Sequence, residues 1–206
     1  MKKILLTAAT LVLAGAAPLA AQAPHLGFGL NLAIPTGDFS SKTYGDGTRD
    51  TYDAALGLQL MASFPVDKNF AFRVDINGMN FQGNSDYPGY PRFNLQNSMF
   101  SLAGEAQIFL GDGNALRHTG GYLIGGLSAD FERFTGSYDD PAYYPDVTLN
   151  KTRMGLVVGY GYSFRYVGRW RWNVEGVYHK TLTGNDTNAG DPPSSDYFRV
   201  GFGMIF

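Results

Sequence analysis

Cysteine is absent from all 206 residues of the chain. A chain without cysteine has no disulfides to stabilise it, and no residue through which a lipoprotein could be acylated. Histidine is scarce: only His25, His118 and His179 occur, which leaves little material for general-base chemistry. Positive charge is modest as well, with 16 Lys and Arg against 18 Asp and Glu. That balance gives no basic footprint for nucleic acid, and no nucleic-acid partner is expected. The most informative shortage is of long apolar runs. After the first two dozen residues, nothing approaches the 18 or so continuous apolar residues of a spanning helix. If the chain enters a membrane, it does not do so with helices.

The one long apolar run lies at the start. Lys2 and Lys3 precede "ILLTAATLVLAG" (Ile4 to Gly15), and small residues follow in "PLAAQAP". This is the three-part pattern of a secretory signal peptide, and its apolar core is too short to span a bilayer. Residues 1–21 are read as that peptide, with cleavage after Ala21 or after Ala23; residues 24–206 are read as one domain. Removing Lys2 and Lys3 leaves 14 cations against 18 anions, a formal charge of −4.

What remains is rich in glycine (27) and in Tyr and Phe (13 and 15), and it alternates. Leu26, Phe28, Leu30, Leu32 and Ile34 lie opposite Gly27, Gly29, Asn31 and Ala33. Leu56, Leu58, Leu60, Ala62 and Phe64 oppose Gly57, Gln59, Met61 and Ser63, and Phe70, Phe72, Val74 and Ile76 oppose Arg73, Asp75 and Asn77. Five further segments repeat the pattern. They centre on Ser101–Leu110, Leu123–Glu132, Arg153–Arg165, Trp170–His179 and Phe198–Phe206. Period two over about ten residues, eight times, predicts eight strands. The predicted connections alternate in length. Those at Thr36–Thr51, Gln82–Asn94, Thr135–Val147 and Thr183–Asp196 are long, "PVDKN" and "YVG" are short, and "GDGNALRHTG" is intermediate. Long loops on one rim and short turns on the other characterise transmembrane β-barrels, with both termini on the short-turn side.

The two faces decide which side meets lipid. Glycines mixed with full charges (Arg73, Asp75, Glu105, Arg153, Arg171, Glu175, Arg199) suit a narrow barrel interior. The apolar face gathers aromatics toward the short-turn rim, at Phe64, Phe70, Tyr160, Tyr162, Phe164, Tyr166, Trp170, Trp172 and Phe206. Such rings fit the membrane surface, where one end is apolar and the other wet. In lipid every strand edge must be paired, so the sheet must close. The expected fold is therefore all-β: an eight-stranded, antiparallel, up-and-down transmembrane β-barrel.

On these features, and on "GLNLAIPTGDF" at Gly29 to Phe39, the whole of Leu26 to Phe206 resembles the small eight-stranded outer-membrane barrels of the OmpA-transmembrane-domain and OmpX kind. The resemblance implies a bacterial outer-membrane location with both termini periplasmic. It also implies that Phe198, Val200, Phe202, Met204 and Phe206 are recognised by the barrel-assembly machinery. Unlike OmpA-like proteins, no periplasmic peptidoglycan-binding domain follows, so a cell-wall anchor is not expected. Outer-membrane lipid and lipopolysaccharide are the expected surroundings, and the barrel is expected to be monomeric.

Inside the barrel, Arg73, Asp75, Glu105, Arg171, Glu175 and Arg199 are expected to form a network of paired charges. It would be either a closed plug or the lining of a narrow path. Catalysis finds little support. Some small barrels of this location act on lipid A, yet His179 shares its face with Glu175 and Thr181 and has no serine two residues away. No cofactor or metal is expected, since Asp46, Asp50 and Asp53 lack the spacing of a calcium loop. The loops are rich in Tyr, Asp, Pro and Gly, a composition suited to recognition surfaces. The expected role is non-enzymatic, in surface interaction or envelope integrity. A narrow pore or carrier is the alternative, and a lipid-modifying enzyme the third reading.

Overall fold

Extended backbone with alternating large and small side chains pairs readily on both edges, and here it does so all the way round. The computed structural model describes residues 23–43, 45–86, 93–138, 146–165, 168, 170–183 and 193–206. The signal-peptide segment and Tyr166 lie outside these residues, as do residues 87–92, 139–145 and 184–192 of the long loops. Eight strands form the barrel: β1 (His25–Pro35), β4 (Ala55–Pro65), β5 (Phe70–Asp86), β6 (Phe93–Phe109), β7 (Gly120–Tyr138), β8 (Val147–Arg165), β9 (Arg171–Thr181) and β10 (Tyr197–Ile205). Each pairs antiparallel with its chain neighbour. β1 then pairs with β10, from Gly27↔Ile205 to Pro35↔Tyr197, which closes the sheet. Reciprocal bonds between Leu26 and Phe206 finish the seam (3.1 and 2.8 Å). The fold is a closed eight-stranded antiparallel β-barrel.

The alternation sorts as expected. Leu56, Leu58 and Leu30 are 79%, 67% and 64% exposed on the outer surface, an apolar expanse that water would not tolerate but lipid solvates. Asn31, Gln59, Arg73, Asp75, Glu105 and Glu175 are buried inside.

Strand lengths depart from expectation. β1, β4, β9 and β10 have 9–11 residues, whereas β5 and β6 have 17 and β7 and β8 have 19. A spanning strand needs about 9–11 residues, so one wall outgrows the membrane. Its outward residues change character along one registered line. Asn80 pairs with Ser98, Ser98 with Arg133, and Arg133 with Asn150. On the short-turn side of that line the outward residues include Ile76, Phe100, Phe131 and Met154; beyond it they are Gln82, Gln96, Thr135 and Thr148.

At the line and beyond it the inner face becomes largely apolar, although Asn97 stays buried there. Met79 and Met99 beside the line, and Phe81 and Phe134 beyond it, join Ala33, Phe39, Tyr52, Ala55 and Tyr197 in one buried cluster. The predicted loops at Gln82–Asn94 and Thr135–Val147 are thus shorter than expected, because the strands continue with their polarity inverted. The first long loop is also ordered in part. Gly37 takes a positive φ of 57°, accessible to glycine at little strain, and opens a 3-10 turn at Gly37–Phe39. The turn drops Phe39 over the barrel mouth, 4.7 Å from the Tyr52 ring and 4.9 Å from Phe81. A hairpin of β2 (Ser41–Thr43) and β3 (Arg49–Tyr52) then adds to the projecting end of β5.

Candidate functional site

The interior charges converge on Arg73. It is fully buried, and its guanidinium meets three carboxylates: Nε to Glu105 Oε2 at 2.5 Å, Nη2 to Asp75 Oδ2 at 2.9 Å, and Nη1 to Glu175 Oε1. Arg199 on β10 reaches Asp75 Oδ2 at 3.4 Å. Neutral groups complete the shell. Tyr122 donates to Glu175 Oε1 at 2.7 Å, Gln59 donates to Asp75 Oδ2 at 2.5 Å, and Asn77 donates to Asp75 Oδ1. Strands β5, β6, β9 and β10 each supply a charge, so the network ties opposite walls together. Removing one member would leave a buried charge uncompensated, at about 3–5 kcal/mol.

Five of the six residues expected in this network therefore meet. Arg171 does not. It begins β9, four residues from Glu175, and at about 3.3 Å per residue that places it about 13 Å away along the strand. Its side chain stays at the short-turn rim, donating to the carbonyls of Arg117 (3.1 Å), Trp170 (3.1 Å) and Gly168 (3.3 Å).

A second cluster lies nearer the long-loop rim. Asp130 accepts from Ser101 (2.6 Å) and Ser128 (3.1 Å), and His179 Nε2 lies 3.0 Å from Asp130 Oδ2 and 2.8 Å from Ser128 Oγ. The imidazole stacks on Tyr197 at 4.6 Å and 7°. Arg153 Nε sits 3.4 Å from Glu132 Oε2, and Arg153 Nη1 donates to the Pro193 carbonyl at 2.7 Å. The inward faces of Asp130, Glu132 and Arg153 are readable from alternation. Their meeting with His179 is not, because it depends on Ser128 pairing with Gly155 and Val157 with His179. That register sets a glycine between the imidazole and β7.

Serine, histidine and aspartate together raise the question of hydrolysis. A catalytic base divides its two nitrogens between nucleophile and acid. Here Ser128 and Asp130 both face Nε2, and Ser128 is 3% exposed inside the barrel. The geometry is that of an interior brace.

Both ends of the interior are filled. The apolar cluster around Phe39 and Phe81 occupies the long-loop end. At the other end the turn between β6 and β7 folds inward, held by Ala115 N–H on the Lys68 carbonyl at 2.8 Å. This turn places His118, fully buried, 3.1 Å from Ser163 Oγ and 5.4 Å from the rings of Phe109 and Tyr122. Burial pushes its imidazole down to about 3. His118 thus closes the barrel end, whereas its sequence position marks only a turn. Between the two charge clusters lies a cavity of about 10 Å³, bordered by Glu105, His179, Arg199, Asn77 and Ser101 among others.

The family model described as the outer membrane protein beta-barrel domain matches residues 6–206. The chain belongs to that family. Solved structures share the fold. OprG from Pseudomonas aeruginosa superposes with a TM-score of 0.55 at 15% identity, covering 89% of this chain and 95% of that one. Ail, the attachment invasion locus protein of Yersinia pestis, gives 0.53 at 11% identity, covering 89% and 97%. None of the curated proteins matches the sequence.

Membership makes the apolar band of this barrel its lipid face. Toward the short-turn rim, Trp170 lies 5.2 Å from Phe206, and Trp172 stacks on Phe202 at 4.8 Å, which forms part of an interfacial aromatic belt. Beyond the Asn80–Ser98–Arg133–Asn150 line, the outer wall of β5, β6 and β7 carries an open cleft of about 300 Å³. Asp53, Gln82, Asn84, Asn94, Gln96, Thr135 and Ser137 line it. These are neutral amides and hydroxyls with one acid, and each amide can both donate and accept.

Proposed function

We propose that this chain is a closed, non-enzymatic outer-membrane barrel that displays the projecting wall of β5–β8 and its loops outside the cell, for surface interaction or envelope integrity. The observation that carries this reading is the inversion of polarity along the registered line at Asn80, Ser98, Arg133 and Asn150. A wall that ended at the membrane would need no apolar core beyond it. This one is polar outside and packs Phe81, Leu95 and Phe134 inside, the arrangement of a structure standing in water. The amide-lined cleft on that wall is the most shaped part of the display.

In this reading both termini and the short turns face the periplasm, and the barrel works as a monomer. Lipid and lipopolysaccharide surround the band, and the barrel-assembly machinery recognises the alternate residues Phe198 to Phe206. The charge network acts as a plug, supported by the Arg73 hub and by the filled ends.

Single-channel conductance of the refolded protein in a planar bilayer tests the closed interior, alongside Glu105→Gln. Silence, with heat-modifiable migration proving the fold, supports the plug. Reproducible openings altered by the substitution would put a narrow pore in its place.

A further inference from the structure

The outer wall of β5–β8 changes character in a fixed order as it leaves the membrane. Lowest stand Phe100 and Phe131, paired across β6 and β7 with ring centroids 6.2 Å apart. Two residues on, at the polarity line, Arg133 is exposed between Ser98 and Asn150. Two further steps of two residues bring the paired rows Gln82–Gln96–Thr135 and Asn84–Asn94–Ser137, all uncharged. At about 3.3 Å per residue, these rows lie about 7 and 13 Å along the strands from the line. A strand tilt of about 35–45° reduces that to heights of about 5 and 10 Å. The polar layer of one leaflet is about 5–8 Å deep, so the first row stands within it and the second just past it.

Two clefts open sideways on this wall. The upper one, of about 300 Å³, is the cleft lined by the six neutral side chains of those two rows. Its one charge is Asp53, set beside Gln82 by a bond from its N–H to the Gln82 carbonyl at 2.7 Å. Gln96 Nε2 donates to Asn80 Oδ1 at 3.0 Å, and Ser98 Oγ donates to the same oxygen at 3.4 Å. The Gln96 amide is thereby oriented before any ligand arrives, which lowers the entropy cost of binding. Amides and hydroxyls that both donate and accept match sugar hydroxyls, which do the same. A carboxylate adds a stronger acceptor for such hydroxyls and repels an anionic group. The lower cleft, of about 310 Å³, lies at the line on β7 and β8. Phe131, Arg133, Asn150, Lys151 and Thr152 border it, together with Glu132, whose carboxylate turns inward to Arg153.

We infer that this wall seats one glycolipid molecule of the outer leaflet, its chain on Phe100 and Phe131, its phosphate at Arg133 and an uncharged sugar ring in the amide cleft. Chain, phosphate and sugar follow one another outward in such a lipid. Apolar, cationic and neutral-polar rows follow in the same order along β5–β8. The planar fork of an arginine matches phosphate oxygens in pairs. The upper cleft opens toward the sugars of the surrounding leaflet, and Asp53 selects against an acidic ring. The inference rests on the display reading and deepens it, because the glycolipid becomes a ligand held at one place instead of the surroundings of the band.

The test is lipid retention by the refolded barrel in amine-oxide micelles, which offer neither sugar nor phosphate, read by native mass spectrometry. Lipopolysaccharide carrying core sugars, phosphatidylglycerol and free maltose are titrated separately. A single lipopolysaccharide per barrel is expected, held about tenfold or more tightly than either of the others. Gln82→Ala combined with Gln96→Ala should weaken lipopolysaccharide about tenfold and leave phosphatidylglycerol unchanged, whereas Arg133→Gln should weaken both lipids. All three side chains are exposed, and heat-modifiable migration confirms each fold. Equal retention of the two lipids, or lipopolysaccharide binding untouched by the glutamine pair, would mean a non-specific lipid coat and overturn the inference. Maltose held as tightly as lipopolysaccharide would move the ligand from the membrane to solution and equally overturn it, as would no retention at all. Labelling of Gln96→Cys on intact cells reports on the display reading and lipid retention on this one, so the two can fail separately.

Discussion

Gly155 on β8 faces the imidazole of His179 so closely that a Cβ on Gly155 would overlap the ring and Ser128 Oγ. This missing side chain lets a histidine of β9 reach an aspartate of β7 across the strand between them. Gly161 plays the same part for the Tyr122 ring lower in the barrel.

Gly155→Val should therefore displace His179 and break its contacts with Asp130 and Ser128. Overpacking of this kind costs about 1–3 kcal/mol. The urea midpoint of the refolded barrel should drop accordingly, while Gly125→Val, where a new Cβ meets open space, should leave it nearly unchanged. Equal effects at the two sites would mean that the close approach does not matter.

Arg73→Met keeps an unbranched apolar stem and removes the guanidinium hub. Glu105, Glu175 and Asp75 would then crowd together with only Arg199 to offset them. A loss of about 3–5 kcal/mol is expected, measured by urea unfolding in micelles. A variant as stable as the natural barrel would show that the network is not what ties the walls together.

His118 should make the short-turn end sensitive to acid. Its imidazole is held at about 3 in the folded protein, against about 6.5 in an unfolded chain. The neutral ring contributes stability that is fully present above pH 6.5 and lost as pH falls from there toward 3, because the unfolded state then binds the extra proton. His118→Gln should flatten stability between pH 6 and 4. Stability curves that remain parallel through this window would remove His118 from the explanation.

The absence of cysteine allows single-cysteine mapping without background. On intact cells, Gln96→Cys should react with a membrane-impermeant maleimide and Phe100→Cys should not, since they flank the polarity line two positions either side of Ser98. Val66→Cys, in the short turn after β4, should label only after the outer membrane is opened. Labelling of Val66→Cys on intact cells would reverse the proposed orientation.

Phe206→Asp should lower insertion into the outer membrane severalfold, read as the heat-modifiable fraction. Phe206 both closes the seam with Leu26 and packs on Trp170, so refolding the same variant into micelles separates the two roles. Normal folding in micelles with poor insertion in cells assigns the residue to assembly. Normal insertion in cells refutes its part as an assembly signal.

The eight strands, their lipid-facing residues and closure of the first strand on the last were legible because period-two alternation is a local property, and a membrane demands it of every strand. Sequence alone also placed Arg73, Asp75, Glu105, Glu175 and Arg199 on the inner face. Tertiary structure decided what touches what. Arg73 meets carboxylates 32 and 102 residues away, Arg171 stays at the rim, and Asp130 finds His179 only because the stagger of three strands places Gly155 between them. The projecting wall was hidden for a related reason. Past the membrane its pattern still alternates but with the polarity exchanged, so the same rule that reveals a strand in lipid reads Gln82 to Asn94 as a loop.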